Sequence, residues 1–188
     1  MSILASLVSL KSTKVRDSGC HVAMREVQSL ITSLQRLYDQ LYHSDVHGGS
    51  PVQSYVQNLI ADIGGIYNAG HVAVETDVAE IVLPPEDVVR FGILVNELVA
   101  NAVKYAFPDK RTGTVHIRLS LIDDDRIELE VSDDGVGFHG GLAELRTKGS
   151  GIAIVEGLVE QLGGVLRVDG GPGTGARFVV RFKIRKSV

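Results

Sequence analysis

The chain has 188 residues, of which 44% are hydrophobic and only five are proline, so it can bury a sizeable core and is not a disordered protein. Its formal net charge of -4 argues against a nucleic-acid-binding protein with a generally basic surface. The single cysteine, Cys20, excludes an internal disulfide framework and is compatible with a reducing cytoplasm, where we expect the protein to act.

The amino-terminal residues 1–47 are predicted to form a helical hairpin. Their start, MSILASLVSLK, lacks a basic signal-peptide region and the roughly 18 apolar residues of a membrane span, so neither is expected. The second helix carries a heptad seam of apolar residues: Val27, Ile31, Leu34, Tyr38 and Leu41. The hairpin could lie on its own globular domain, but we favour an intermolecular bundle because so short a helix pair has little else to cover its apolar face.

Residues 48–188 are predicted to form one α+β domain. Its elements, in order, are a helix starting at Ser50–Pro51 and ended by Gly64–Gly65, a strand around His71–Thr76, a helix from about Glu86 to Ala106, strands over Val115–Leu121 and Ile127–Val131, a helix over Ile152–Leu162, and a strand over Phe178–Ile184. The Gly173-Thr174-Gly175 turn is typical of a hairpin that joins the last two strands. This order predicts a mixed sheet with helices on one face.

The helix that ends near Ala106 is apolar almost all round, yet Glu97, Asn101 and Lys104 share one face at i, i+4 and i+7. Buried polar groups need partners, which could be protein or ligand, whereas a solvated edge of the helix would need none. The stripe spans roughly 10 Å, a length suited to a polyphosphate with its metal. Amide and carboxylate oxygens suit Mg²⁺, and lysine suits phosphate.

Two glycine-containing segments are candidate ligand-binding loops, one after a predicted strand and one before a predicted helix. In the D-x-G-x-G stretch, Asp133 is placed to accept a hydrogen bond from an exocyclic amine, and its glycines let the backbone pass close to a flat ligand. An ordinary surface turn is the alternative, and Asp134 is expected to face solvent. Gly149-Ser150-Gly151 runs into a helix start and could bind an anion, although a plain loop would look the same and the spacing is not that of a P-loop.

The order of these segments is more informative than any one of them. NELVANAVKYAF, DDGVGF, GSGIAIV and GTGARFVVRF resemble the N, G1, G2 and G3 boxes of the GHKL ATPases, in particular the ATP-binding domain of sensor histidine kinases, over about residues 52–184. The resemblance implies a two-layer α/β sandwich of the Bergerat type that binds ATP and Mg²⁺.

The resemblance also implies roles for individual residues. On the phosphate side, Asn101 would hold Mg²⁺, Glu97 would occupy the general-base position of ATP-hydrolysing relatives, Lys104 would contact phosphate, and Gly149, Ser150 and Gly151 would wrap the phosphates. On the adenine side, Asp133 would bind the adenine amine, Gly135 and Gly137 would shape the wall of the adenine pocket, and Thr174 would support that side. Tyr105 would be a further nucleotide-binding residue. Residues His139–Lys148 would form a short lid.

The hairpin adds a second resemblance. SILASLVSLKSTKVRDS followed by REVQSLITSLQRLYDQLYHSD is similar to the dimerisation region of the HisKA_2 histidine kinases. This implies a homodimer through a four-helix bundle, a response-regulator receiver domain as partner, and a sensor domain upstream of this chain.

The chain departs from that family in one respect. The family places its acceptor histidine in an H-R-x-K-N run just upstream of the segment that matches Ile3, and no histidine here has that context: His21, His43, His47, His71, His116 and His139. Either the chain is cut after the acceptor or the natural protein phosphorylates or binds something else. We expect it to bind ATP with Mg²⁺ without labelling itself.

The favoured function is therefore the catalytic and dimerisation core of a sensor histidine kinase, which transfers the γ-phosphoryl group of ATP to a histidine and thence to a response regulator. One alternative is an anti-sigma-factor-type serine kinase, against which the heptad-bearing hairpin argues. Another is a non-catalytic adaptor that docks response regulators, against which the intact Asn101, Lys104 and Asp133 argue.

Overall fold

The computed structural model describes residues 50–51, 70–139, 145–146 and 151–184. The predicted hairpin lies outside the described residues, as does the third predicted helix beyond its start at Ser50–Pro51, so these two elements remain predictions. In the described part of the chain, no helix is long and apolar enough to cross a membrane.

The described part of the domain has one main sheet and two helices. The elements are β1 (Ser50–Pro51), β2 (Val72–Val78), β3 (Val82–Leu83), α1 (Pro85–Tyr105), a 3₁₀ turn (Pro108–Lys110), β4 (Gly113–Leu121), β5 (Arg126–Asp133), α2 (Gly151–Gln161), β6 (Val165–Gly170) and β7 (Ala176–Lys183). The strand order in the sheet is β2-β4-β5-β7-β6. The pair β2–β4 is parallel because α1 crosses between them, and the other three pairs are antiparallel. The predicted mixed α+β sheet is confirmed.

The core lies between the sheet and the two helices. Alternate residues of β4 and β5, such as Ile117 and Leu129, point inward and are buried, as the period of two requires. Helix α1 packs on β4, β5 and α2. Its Phe91 is fully buried, and its ring lies 6.3 Å from that of Phe182 on β7. One face of the sheet is thus covered by helices, as predicted.

The outer face of the sheet carries ion pairs between neighbouring strands. Glu130 pairs with Arg177 at 2.7 Å, and Glu128 pairs with Arg181 at 2.6 Å. The Arg177 guanidinium lowers the pKa of Glu130. Within the described residues, this side of the sheet therefore carries charged cross-strand pairs and no second hydrophobic layer.

Ser50–Pro51 was predicted to start a helix, and this prediction is wrong. The two residues form β1, which pairs antiparallel with β3 in the register Ser50–Leu83 and Pro51–Val82. Proline disfavours the helical conformation in the residue before it, and an extended Ser50 can therefore pair with a strand as readily as it can cap a helix. The partner strand is only two residues long and gives no periodic signal in the sequence.

Candidate functional site

The polar stripe of α1 is partly buried in the structure. Glu97 is only 4% exposed. Asn101 and Lys104 are half-buried. Tyr105, at the end of the helix, is 65% exposed. The solvated-edge alternative therefore fails for Glu97, because a carboxylate removed from water needs polar partners.

The first residue of α2 lies against this stripe. A Cβ atom added to Gly151 would stand 3.2 Å from both Oδ1 and Nδ2 of Asn101 and 3.3 Å from Oε2 of Glu97. Glycine is thus what allows the helix start to approach both side chains. The first-turn N–H groups of a helix have no intrahelical acceptor and carry the positive end of its dipole. The structure therefore brings Glu97, Asn101 and Gly151 together, while Gly149 and Ser150 lie outside the described residues.

The side-chain oxygens of Asn101 and Glu97 suit a magnesium ion bound together with phosphate. An amide oxygen and a carboxylate are hard oxygen ligands, and the absent side chain at Gly151 leaves room beside both. Among the described residues no group of three or more His, Cys, Asp or Glu side chains could hold a metal by itself. An ion at Asn101 would therefore take most of its ligands from phosphate and water, which is the usual behaviour of Mg²⁺.

At the end of β5, Asp133 is held by the backbone. Its Oδ1 accepts hydrogen bonds from the N–H of Gly135 at 3.0 Å and of Ala176 at 3.2 Å. Burial raises the pKa of Asp133, and the two backbone N–H groups oppose that rise. Both hydrogen bonds use Oδ1, so as far as the described residues go, Oδ2 can accept from a ligand.

Two glycine loops pack backbone to backbone around Asp133. Gly137 and Gly175 have φ angles of 65° and 74°, which favour glycine. A Cβ at Gly137 would overlap the carbonyl oxygen of Gly171, and one at Gly175 would overlap that of Asp133. The N–H of Gly173 also donates to the Val136 carbonyl at 2.8 Å. An ordinary surface turn would need none of this close approach.

Thr174 closes the second of these loops. Its hydroxyl donates to the carbonyl oxygen of Gly171 at 3.0 Å, and the side chain is exposed. A surface depression of about 280 Å³ is lined by this turn and by the adjoining ends of β5, β6 and β7, including Asp133, Thr174 and Gly175. Of the predicted adenine-side residues, Asp133 and Thr174 line this depression, whereas Gly135 and Gly137 do not.

The two halves of the site meet at the end of α1. The N–H of Val136 donates to the carbonyl oxygen of Ala106 at 2.9 Å, and a Cβ at Gly135 would overlap Ala106. Ala106 follows Asn101 by five residues, or about 7.5 Å of helix. The sequence interpretation missed Ala106, since it acts through its backbone and its only sequence signal is its small size.

Most of the predicted lid, His139–Lys148, lies outside the described residues. Its Arg146 forms a bidentate ion pair with Glu156 of α2, with nitrogen–oxygen distances of 3.1 and 2.6 Å to Oε1. The pair is exposed, and it connects this segment to the helix that begins at Gly151.

The class of protein follows from the fold together with the site. A mixed sheet covered on one face by helices is the fold of a solved histidine kinase domain. The chain belongs to the histidine kinase-, DNA gyrase B-, and HSP90-like ATPase family, whose sequence profile matches residues 86–186. A second profile, that of the HisKA_2 histidine kinases, matches residues 1–67. Both resemblances are thereby confirmed, and they fit a sensor histidine kinase.

Individual relatives agree with this assignment. The chain is 27% identical over 182 residues to blue-light-activated histidine kinase 2 of Erythrobacter litoralis, covering 93% of this chain and 51% of that protein. It therefore spans about half the length of this relative. The histidine kinase domain of the Erythrobacter litoralis EL346 blue-light-activated kinase has the same fold, with a TM-score of 0.71 at 24% identity over 95% of this chain and 94% of that chain. ShkA, solved in complex with AMPPNP, matches with a TM-score of 0.54 at 20% identity over 99% of this chain and 43% of that one.

Proposed function

We propose that this chain binds ATP with Mg²⁺ and is the catalytic and dimerisation core of a cytoplasmic sensor histidine kinase. In this proposal the γ-phosphoryl group passes to a histidine and then to a response regulator. The observation that carries the proposal is the fixed carboxylate of Asp133, whose Oδ1 is held by two backbone N–H groups between two glycine loops. A carboxylate held this way is suited to accept from the exocyclic amine of adenine. The fold neighbour ShkA, in complex with AMPPNP, supports an adenine nucleotide as the ligand.

On the phosphate side, α1 and the start of α2 would together bind the metal and the phosphates. Asn101 would ligate the metal through its amide oxygen, Lys104 would contact phosphate, and the N–H groups that begin α2 at Gly151 would donate to phosphate oxygens. Bound Mg²⁺ would neutralise charge on the transferring phosphoryl group. Because little covalent chemistry is asked of the protein in phosphoryl transfer, its contribution is chiefly positioning and charge stabilisation.

The transfer itself would use an imidazole nucleophile. The imidazole nitrogen attacks the γ-phosphorus, the bond to the bridging β–γ oxygen breaks, ADP leaves, and the imidazole proton passes to a base. Glu97 is our candidate for a carboxylate that accepts a proton from the attacking group, since it lies buried beside Gly151.

Replacing Asn101 with alanine is expected to weaken binding of ATP with Mg²⁺ about ten- to a hundredfold, because the lost contact is to an ion. Adenosine, which does not reach the phosphate side, should bind the variant about as well as the original protein. Titration calorimetry with both ligands measures the difference. Equal losses for the two ligands would show that α1 has been disrupted and would contradict the assignment of Asn101.

The domain division and partners belong to the same proposal. Residues 1–47 would pair with a second copy as a four-helix bundle, and residues 48–188 would form the ATP-binding domain. A response-regulator receiver domain would accept the phosphoryl group, and a sensor domain would lie in the full protein outside this chain. The HisKA_2 match over residues 1–67 favours this function over a serine kinase of the anti-sigma-factor type.

The transfer step is tested with γ-labelled ATP and Mg²⁺. We expect the chain itself to remain unlabelled, since no histidine in it has the H-R-x-K-N context. Joining a segment with that run ahead of Ile3 should produce acid-labile label, and the Asn101→Ala substitution should then remove it. Stoichiometric acid-labile label on the unaltered chain would contradict the expectation, and peptide mapping would identify the acceptor.

A further inference from the structure

Asp134 is exposed, as expected from the sequence, but it is also hydrogen-bonded to Arg111 in the loop after α1 and to Thr114 on β4. Its Oδ1 accepts from the backbone N–H of Thr114 at 2.8 Å, and its own N–H donates to the Thr114 carbonyl at 3.2 Å. Its carbonyl oxygen accepts from Nη2 of Arg111 at 3.1 Å. Two of these three bonds use the backbone of Asp134, and the bond from the Thr114 N–H is the one that depends on its side chain.

The segment that leads from the end of α1 into β4 is itself tightly packed. A Cβ at Gly113 would stand 2.5 Å from Oδ1 of Asp134 and would overlap the ring of Phe107, which is only 4% exposed. Phe107 follows Ala106, whose carbonyl oxygen accepts from the N–H of Val136. Residues 106–114 therefore connect the end of α1 to the partner of Asp134, Thr114. The buried side chain of Phe107 packs within this segment.

From these contacts we infer that Asp134 is a positioning residue for the nucleotide. Its carboxylate sets the position of the adenine turn, residues 133–137, relative to the carboxyl-terminal end of α1. Asp133 lies on that turn and Asn101 lies on that helix, so the bond from Thr114 acts together with the Val136–Ala106 backbone bond to fix the spacing between the adenine and phosphate sides. This inference rests on the proposed function, because a spacing matters only to a ligand that spans both sides.

The chemistry of the bond predicts which substitutions matter. Asparagine keeps an acceptor oxygen at the same position and would preserve the bond to Thr114, whereas alanine removes it. Loss of one such hydrogen bond is expected to weaken ATP binding about three- to tenfold. A ligand that contacts only the adenine turn would not sense the altered spacing.

The experiment compares Asp134→Ala, Asp134→Asn and the control Asp124→Ala, which removes an exposed carboxylate at the β4–β5 hairpin. Titration calorimetry should show a three- to tenfold loss for ATP with Mg²⁺, and less than about twofold for adenosine, in Asp134→Ala alone. Equal losses for ATP and adenosine, or a loss in Asp134→Asn as large as that in Asp134→Ala, would overturn the inference.

A second measurement separates this inference from the proposed function. If the unaltered protein fails to bind ATP, the proposed function is wrong, yet the position of the turn can still be read by amide hydrogen exchange. Asp134→Ala should speed exchange at the N–H groups of Gly135 and Val136, and Asp134→Asn should not. Unchanged exchange at these two amides in Asp134→Ala would overturn the positioning role.

Discussion

Replacing Asp133 with alanine is expected to weaken ATP binding about ten- to a hundredfold, the cost of a charge-assisted hydrogen bond to the adenine amine. The same carboxylate also orders the ends of both glycine loops through the N–H groups of Gly135 and Ala176. Asp133→Asn is the matched variant, because it can keep the loop contacts through its amide oxygen while presenting a donor to the adenine amine. We therefore expect calorimetry to show a comparable loss of ATP affinity in both variants. The loss of thermal stability should be larger in Asp133→Ala than in Asp133→Asn.

An ATP affinity that stays unchanged in Asp133→Ala would show that the adenine lies elsewhere. An unchanged affinity in Asp133→Asn alone would show that Asp133 supports the loops without contacting the base. Either outcome is readable only if the fold persists, which near-ultraviolet circular dichroism of the free proteins checks.

The pKa of Asp133 adds a pH dependence to the same site. Burial raises this pKa above its ordinary value of 3.8, and the ionised carboxylate accepts a stronger, charge-assisted hydrogen bond from the amine than the protonated carboxyl group does. Affinity for ATP should therefore be complete above the raised pKa and fall as the pH drops through it, at a higher pH than for an ordinary aspartate.

The contribution of Asp133 to folding stability has the opposite sign. Because the folded state holds this proton more tightly than the unfolded state, the contribution is fully present below the unfolded pKa and is lost as the pH rises through the folded pKa. Chemical denaturation of the free protein and of Asp133→Asn, between about pH 4 and pH 7, measures the difference. The free energy of unfolding of the original protein relative to that of Asp133→Asn should increase as the pH falls, and a relative free energy of unfolding that decreases as the pH falls would contradict the raised pKa.

Replacing Gly175 with alanine is expected to destabilise the domain by about 2–5 kcal/mol and to abolish ATP binding at ordinary ligand concentrations. The left-handed backbone costs an alanine about 1–2 kcal/mol, and the overlap of its Cβ with the Asp133 carbonyl requires a backbone shift of about 1–3 kcal/mol more. That shift would move Asp133 itself. Denaturant titration and calorimetry measure the two effects.

Gly173 provides a matched control within the same turn. Its φ is 76°, close to that of Gly175, but a Cβ added there meets no atom within 4 Å. Gly173→Ala should therefore carry only the conformational cost of about 1–2 kcal/mol and should retain most of the ATP affinity. Equal effects of the two substitutions on binding would show that backbone conformation, and not the close approach to Asp133, accounts for the loss.

Particular residues show how far sequence reasoning reaches in this domain. The helix predicted from Glu86 to Ala106 is observed as Pro85–Tyr105, and the strand predicted over Ile127–Val131 lies within the observed Arg126–Asp133. Both have long periodic patterns that a single packed face imposes on the chain. Ser50–Pro51 has no such pattern, and its local signals for a helix start were outweighed by pairing with a strand more than thirty residues away.

Within the candidate site, the sequence by itself determined the chemical types: a polar stripe on an apolar helix, a carboxylate at a strand end, and glycines where the backbone must turn. These are local properties, because each depends on residues within a few positions of one another. Only the tertiary structure decided which carboxylate oxygens already accept hydrogen bonds from the backbone. The loop closure that brings Ala176 to Oδ1 of Asp133, and Thr114 to Oδ1 of Asp134, joins segments 43 and 20 residues apart. Such pairings depend on the register of the whole sheet, and for this reason the sequence could suggest that Asp134 faces solvent but could not show that its carboxylate accepts a hydrogen bond from Thr114 on β4.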